Sequence, residues 1–120
     1  MPTTMPREVA DYIRATNQHD GDGFVACFAE DALVNDAGRE FRGAAAIKAW
    51  CDKEIVAAQV TLDVLDVAEH DRQVIVTTKV DGTYDKTGLP DPLILEHHAV
   101  VDGGKIARLT IRLPEAPTAS

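Results

Sequence analysis

The chain has 120 residues, enough for one domain with a modest core and too few for two. A formal net charge of −8 speaks against nucleic acid, whose phosphates demand a basic face, and against an anionic membrane surface. No apolar run approaches the roughly 20 residues of a membrane span, and the opening MPTTMPREVADY lacks the apolar stretch of a signal peptide, so a cytoplasmic protein is expected.

In chain order, a first helix is expected to start at Pro6, with Glu8 favourable in its first turn. Val9, Tyr12, Ile13 and Thr16 follow helical spacing, which puts Tyr12 on the buried stripe. The polar run NQHDGDG closes this helix and opens a short second one carrying Phe24, Cys27 and Phe28 on one side. ALVN reads as a short strand, NDAG as a turn and REFR as a second strand. GAAAIKAWCDKEIVAA is the third helix, with Ile47, Trp50, Cys51 and Ile55 on one face.

Strands follow. VTLDVLDVAE alternates at Val60, Leu62 and Val64 and then changes phase to Leu65 and Val67, the pattern of a β-bulge. EHDRQ is a turn, QVIVTTKVDGTY a β-branched strand, and DKTGLPDP a loop. LILEHHAVV, DGGK and IARLTIRL make a hairpin with a glycine connection, the last strand burying Ala107, Leu109, Ile111 and Leu113 and turning Arg108, Thr110 and Arg112 outward. The ends, MPTT and PEAPTAS, read as loose. Helices followed by a long meander predict a single α+β domain over residues 1–120: a cone-shaped, strongly curved mixed or antiparallel sheet, with three helices from the N-terminal half enclosing a pocket.

Cys27 and Cys51 sit on apolar helical faces and are expected to be free buried thiols. No spacing makes a zinc motif, and His97 and His98, neighbours on a strand, point to opposite faces and cannot share a metal. His19 and His70 fall in turns and are expected to be solvated, and Lys79 lies on the solvated sheet face.

ADYIRATNQHDGDGFVACFAEDALVND, FRGAAAIKAW and VVDGGKIARLTI, in this order and at this spacing, resemble the nuclear transport factor 2-like superfamily, in its SnoaL-like and ketosteroid isomerase-like branch. The resemblance covers nearly the whole chain. It implies that Tyr12 matches the isomerase's oxyanion-donor tyrosine and Asp36 its general-base aspartate. A second donor, an acid in the isomerase, falls on His97, or on Glu96 if the hairpin is gapped differently. His97 is preferred, because Leu93, Leu95, Ala99 and Val101 share its face at period two.

The expected activity is removal and return of a proton beside a carbonyl, of isomerase, cyclase or dehydratase type, on an apolar small molecule. Asp36, Tyr12 and His97 would be catalytic, and Phe24, Phe28, Val34, Trp50, Leu95 and Leu109 would line the substrate pocket. A desolvated carboxylate gains basicity toward a carbon acid, and a buried phenol or neutral imidazole stabilises the enolate oxygen. This chemistry requires no metal or organic cofactor. The resemblance also implies a homodimer through the outer sheet face. The rival reading is a non-catalytic ligand-binding or dimerisation domain, with Asp36 a plain turn residue. An epoxide hydrolase-like site would need an arginine flanked by two cavity-facing acids, an arrangement the sequence does not display.

Overall fold

The computed structural model describes residues 5–84, 87–90 and 92–114. The segments 1–4 and 115–120, read above as loose ends, and part of the DKTGLPDP loop lie outside the described residues. Helix α1 spans Arg7–Gln18 and buries Val9, Tyr12, Ile13, Ala15 and Thr16. Pro6 is its N-cap rather than its first helical residue. Helix α2, Gly21–Ala26, is capped by Asp20, whose side chain accepts a hydrogen bond from the Gly23 N–H. Strands β1, Phe28–Asp36, and β2, Arg39–Arg42, form a hairpin across the NDAG turn. Helix α3, Ala44–Trp50, runs directly into one and a half turns of π-helix, Cys51–Val56. Strands β3, Thr61–His70, β4, Gln73–Asp81, β5, Leu93–Asp102, and β6, Lys105–Arg112, complete the chain.

The six strands make one curved sheet in the order β2-β1-β6-β5-β4-β3, with β1 and β6 parallel and every other pair antiparallel. Three of its strand pairs carry register shifts, and two of these reset which residues face inward. Leu65 is skipped in the β3–β4 register, which moves Leu62, Val64 and Val67 onto one face opposite Val80, Thr78 and Val76. This bulge accounts for the phase change in VTLDVLDVAE; the extra residue, Leu65, is left exposed. A second break between Val100 and Val101 skips Ala107, so Ile106, Leu109 and Ile111 face inward. The buried set on the last strand therefore differs from the expected Ala107, Leu109, Ile111 and Leu113: Ala107 is the bulged residue, and Leu113 lies past the strand and is exposed.

The helices cover the concave side, and α1 contacts both β3 and β6. Asn17 binds the free edge of the sheet as a strand would, donating to the Leu62 carbonyl at 3.0 Å and accepting from the Leu62 N–H at 2.6 Å. His19, expected to be solvated, closes α1 in a left-handed conformation and lies 3.1 Å from the Val60 carbonyl through Nε2. Among the described residues, no helix is long and apolar enough to cross a membrane.

Candidate functional site

Between α1, the α3–π segment and the concave face of β4, β5 and β6 lies a cavity of about 370 Å³. Its walls are mainly apolar: Ile55, Val60, Leu62, Val80, Leu93, Leu95 and Ile111, with the rings of Trp50 and Tyr84. Polar groups converge on it from separate elements: Tyr12 and Thr16 from α1, Asp36 from the end of β1, and His97 from the middle of β5. A second depression on the rim, of about 410 Å³, shares Val80, Tyr84, Leu89 and Leu93 with it but is also lined by Lys79 and Asp81.

Tyr12 and His97 form the deep polar end. The Tyr12 hydroxyl lies 2.9 Å from His97 Nδ1, and the Thr78 hydroxyl lies 3.0 Å from Nε2, so both ring nitrogens have partners. His97 is 3% exposed and Thr78 fully buried. Burial, with a smaller contribution from His98, pushes the His97 pKa down to about 4, so the ring is neutral. Burial also raises the Tyr12 phenol far above its ordinary range, and the charge of Asp36 adds to this. Tyr12 is a phenol that keeps its proton. His97 does not present a free nitrogen to the cavity. In place of two separate groups, Tyr12 and His97 line the cavity as a linked pair, with both His97 nitrogens engaged. Glu96 points to the outer face, where it lies 2.9 Å from His98.

Asp36 sits at the mouth. Its Oδ2 accepts from Arg39 at 2.8 Å and from the Trp50 indole at 3.2 Å, while Oδ1 has no hydrogen bond among the described residues. Arg39 in turn forms a two-pronged pair with Glu54, at 2.7 and 2.9 Å. An arginine between two acids is thus present, contrary to the sequence reading. It stands at the rim, where the Arg39 side chain is 54% exposed, and not around the buried interior. The π-helix brings Glu54 to Arg39 and Ile55 to the wall; wide turns of this kind recur at functional sites.

Of the expected lining residues, Trp50 and Leu95 face the cavity and Phe24, Phe28, Val34 and Leu109 do not. Phe24 and Phe28 pack behind Tyr12, with ring centroids 5.1 and 6.0 Å from it. Val34 and Leu109 are register partners on β1 and β6 and are fully buried. These four form the core that holds the cavity wall. The residues that sequence reasoning missed are Thr78, Arg39, Glu54 and Tyr84. Thr78 alone carried a signal, since Val74, Val76, Thr78 and Val80 alternate on one strand face. Cys51 is buried and its thiol is pushed up to about 12, first by burial and then by Asp52, which makes it inert.

A profile of the SnoaL-like domain matches residues 9–109, and the chain belongs to that family, within the nuclear transport factor 2-like superfamily. Among solved structures the chain is similar to a proposed polyketide cyclase from Sinorhizobium meliloti, with 30% identity and a TM-score of 0.80 over 90% of this chain and 95% of the other. It is similar to a protein from Sphaerobacter thermophilus at 29% identity and a TM-score of 0.72, over 91% and 94% of the two chains. A Catenulispora acidiphila protein with a ketosteroid isomerase-like fold, solved with trimethylamine, shares 19% identity and a TM-score of 0.75 over 93% and 88%, a likeness of fold alone. No curated protein sequence matches the chain.

Proposed function

We propose that the chain catalyses cofactor-independent proton abstraction and return beside a carbonyl, of isomerase, cyclase or dehydratase type, on an apolar small molecule. The carrying observation is that Asp36 and Tyr12, from separate elements, line one apolar cavity. Asp36 Oδ1, with no hydrogen bond among the described residues, takes the proton from the α-carbon. The C–H electron pair becomes the carbon–carbon double bond of an enolate, and the carbonyl oxygen takes up the charge. The Tyr12 hydroxyl donates to that oxygen, and the proton returns from Asp36 to carbon. Arg39 and Trp50 hold the carboxylate through Oδ2, so that Oδ1 has a fixed direction. The resemblance to a proposed polyketide cyclase favours a cyclic or cyclising carbonyl compound as substrate.

The test uses 2-tetralone in heavy water, following deuterium uptake at the α-carbon by NMR. Asp36→Asn should cut the protein-catalysed rate by about 10²–10⁴-fold while leaving ketone binding within a few-fold. Binding without any catalysed exchange in the unaltered protein would support the second reading, a ligand-binding domain. That reading has its own support, because Asp36 is already ion-paired with Arg39.

The proposed macromolecular partner is a second copy of the chain on the outer sheet face. There Ile75, Thr77, Ile94 and Val100 are half-buried, and no helix among the described residues covers them.

A further inference from the structure

The proposed reaction leaves Thr78 without a part, although its hydroxyl is fully buried and lies 3.0 Å from His97 Nε2. We propose that Thr78 is a positioning residue that sets the direction of the hydrogen-bond chain Thr78–His97–Tyr12, so that the Tyr12 phenol donates into the cavity when an enolate- or phenolate-type oxygen occupies it. This rests on the reading of Tyr12 as the oxyanion donor.

A neutral imidazole has one N–H and one bare nitrogen, so a chain through it has a sense. In the first sense Tyr12 donates to Nδ1, Nε2 donates to Thr78, and Thr78 donates to the Leu95 carbonyl. That chain ends on a 3.5 Å contact, long for an O–H donor, and it spends the phenol hydrogen inside the protein. In the second sense Thr78 donates to Nε2, Nδ1 donates to the Tyr12 oxygen, and the Tyr12 hydrogen is released to the cavity. The two internal links, 2.9 and 3.0 Å, serve either sense; here the long Leu95 contact is not needed, and the ligand supplies the last acceptor. A ligand oxygen bearing negative charge makes that last bond charge-assisted and polarises the two behind it. An apolar ligand without an acceptor does neither, so the chain selects ligands by the charge on one oxygen. A hydroxyl serves here because it can donate or accept. Valine has the same branched shape and can do neither.

The experiment is nitrogen-15 NMR of histidine-labelled protein, which tells Nδ1–H from Nε2–H, with 4-nitrophenolate as the probe. The bound unaltered protein should show His97 protonated on Nδ1. Thr78→Val should weaken 4-nitrophenolate binding about tenfold, the worth of one buried hydrogen bond, and Thr78→Ser should restore most of it. Nε2–H in the bound state overturns the proposal, as does unchanged affinity in folded Thr78→Val; the tautomer measurement needs no variant. Tyr12→Phe separates the two layers. If Tyr12→Phe loses affinity while the bound ring carries Nε2–H, the oxyanion reading stands and the role of Thr78 falls. If Tyr12→Phe binds as the unaltered protein does, or 4-nitrophenolate does not bind at all, the donor reading fails and this inference fails with it.

Discussion

Tyr12 and His97 illustrate what a residue alone can and cannot announce. Helical spacing put Tyr12 on the buried stripe, and strand alternation put His97 on the inner face; both positions follow from periodicity alone. That the two side chains meet does not follow, because the contact joins residues 85 positions apart. Nor does the sequence say that Phe24 and Phe28 stand behind Tyr12 instead of beside a ligand. Both arrangements bury the same residues. The buried histidine has a consequence in solution. Its pKa lies near 4 when folded and near 6.5 when unfolded, so on acidification the unfolded chain takes up the proton first. The stability contributed by neutral His97 is complete above pH ~6.5 and is lost as pH falls toward ~4, on the order of 3 kcal/mol in all. Urea unfolding followed by Trp50, the single tryptophan, should show this slope between pH ~6.5 and ~5.5, above most carboxylate titration. His97→Gln should flatten it. A slope equal in both proteins would mean that His97 is not held neutral in the fold.

At the level of elements, most of the order was legible. Three helices, the bulge in the third strand and the closing hairpin all left local marks: apolar spacing, a phase change and a Gly-Gly connection. The π-helix left none, because its widened turn has no distinct residue pattern, and without it Glu54 could not be assigned to the mouth. The parallel pairing of β1 with β6 was also out of reach, being a contact between the two ends of the chain. Turn chemistry offers a direct test. The β3–β4 hairpin turns through Asp71 and Arg72, both in the left-handed region, at φ 51° and 65°. The β5–β6 hairpin meets the same demand with Gly103 and Gly104, at φ 60° and 79°. Arginine pays a steric penalty there that glycine avoids. Arg72→Gly should therefore stabilise the protein by about 0.5–1 kcal/mol, visible as a higher urea midpoint with an unchanged slope. A lower midpoint would show that Arg72 makes a contact worth more than its strain.

At the scale of the whole molecule, the sheet has two faces with different burdens. The concave face is covered by helices and holds the cavity. The convex face presents register rows such as Ile75–His98–Thr110 and Thr77–Glu96–Arg112, in which apolar, polar and charged residues stand side by side. His98 there lies 3.2 Å from Gln73 and 2.9 Å from Glu96, so its polar atoms are already matched within the chain. Glu96 is matched within the chain by His98 and Arg112, and the half-buried isoleucines and valine of this face offer apolar surface to a copy of the chain related by a two-fold axis. A glutamate in place of Ile75 would put one uncompensated charge from each copy near that axis. Ile75→Glu should convert a sedimenting dimer to a monomer at micromolar concentration. Because Ile75 points away from the cavity, deuterium exchange into 2-tetralone per chain should change little. Monomers in the unaltered protein would remove the proposed partner. A dimer indifferent to Ile75→Glu would move the interface to another face. Loss of exchange together with the dimer would show that the cavity takes its shape from the second copy.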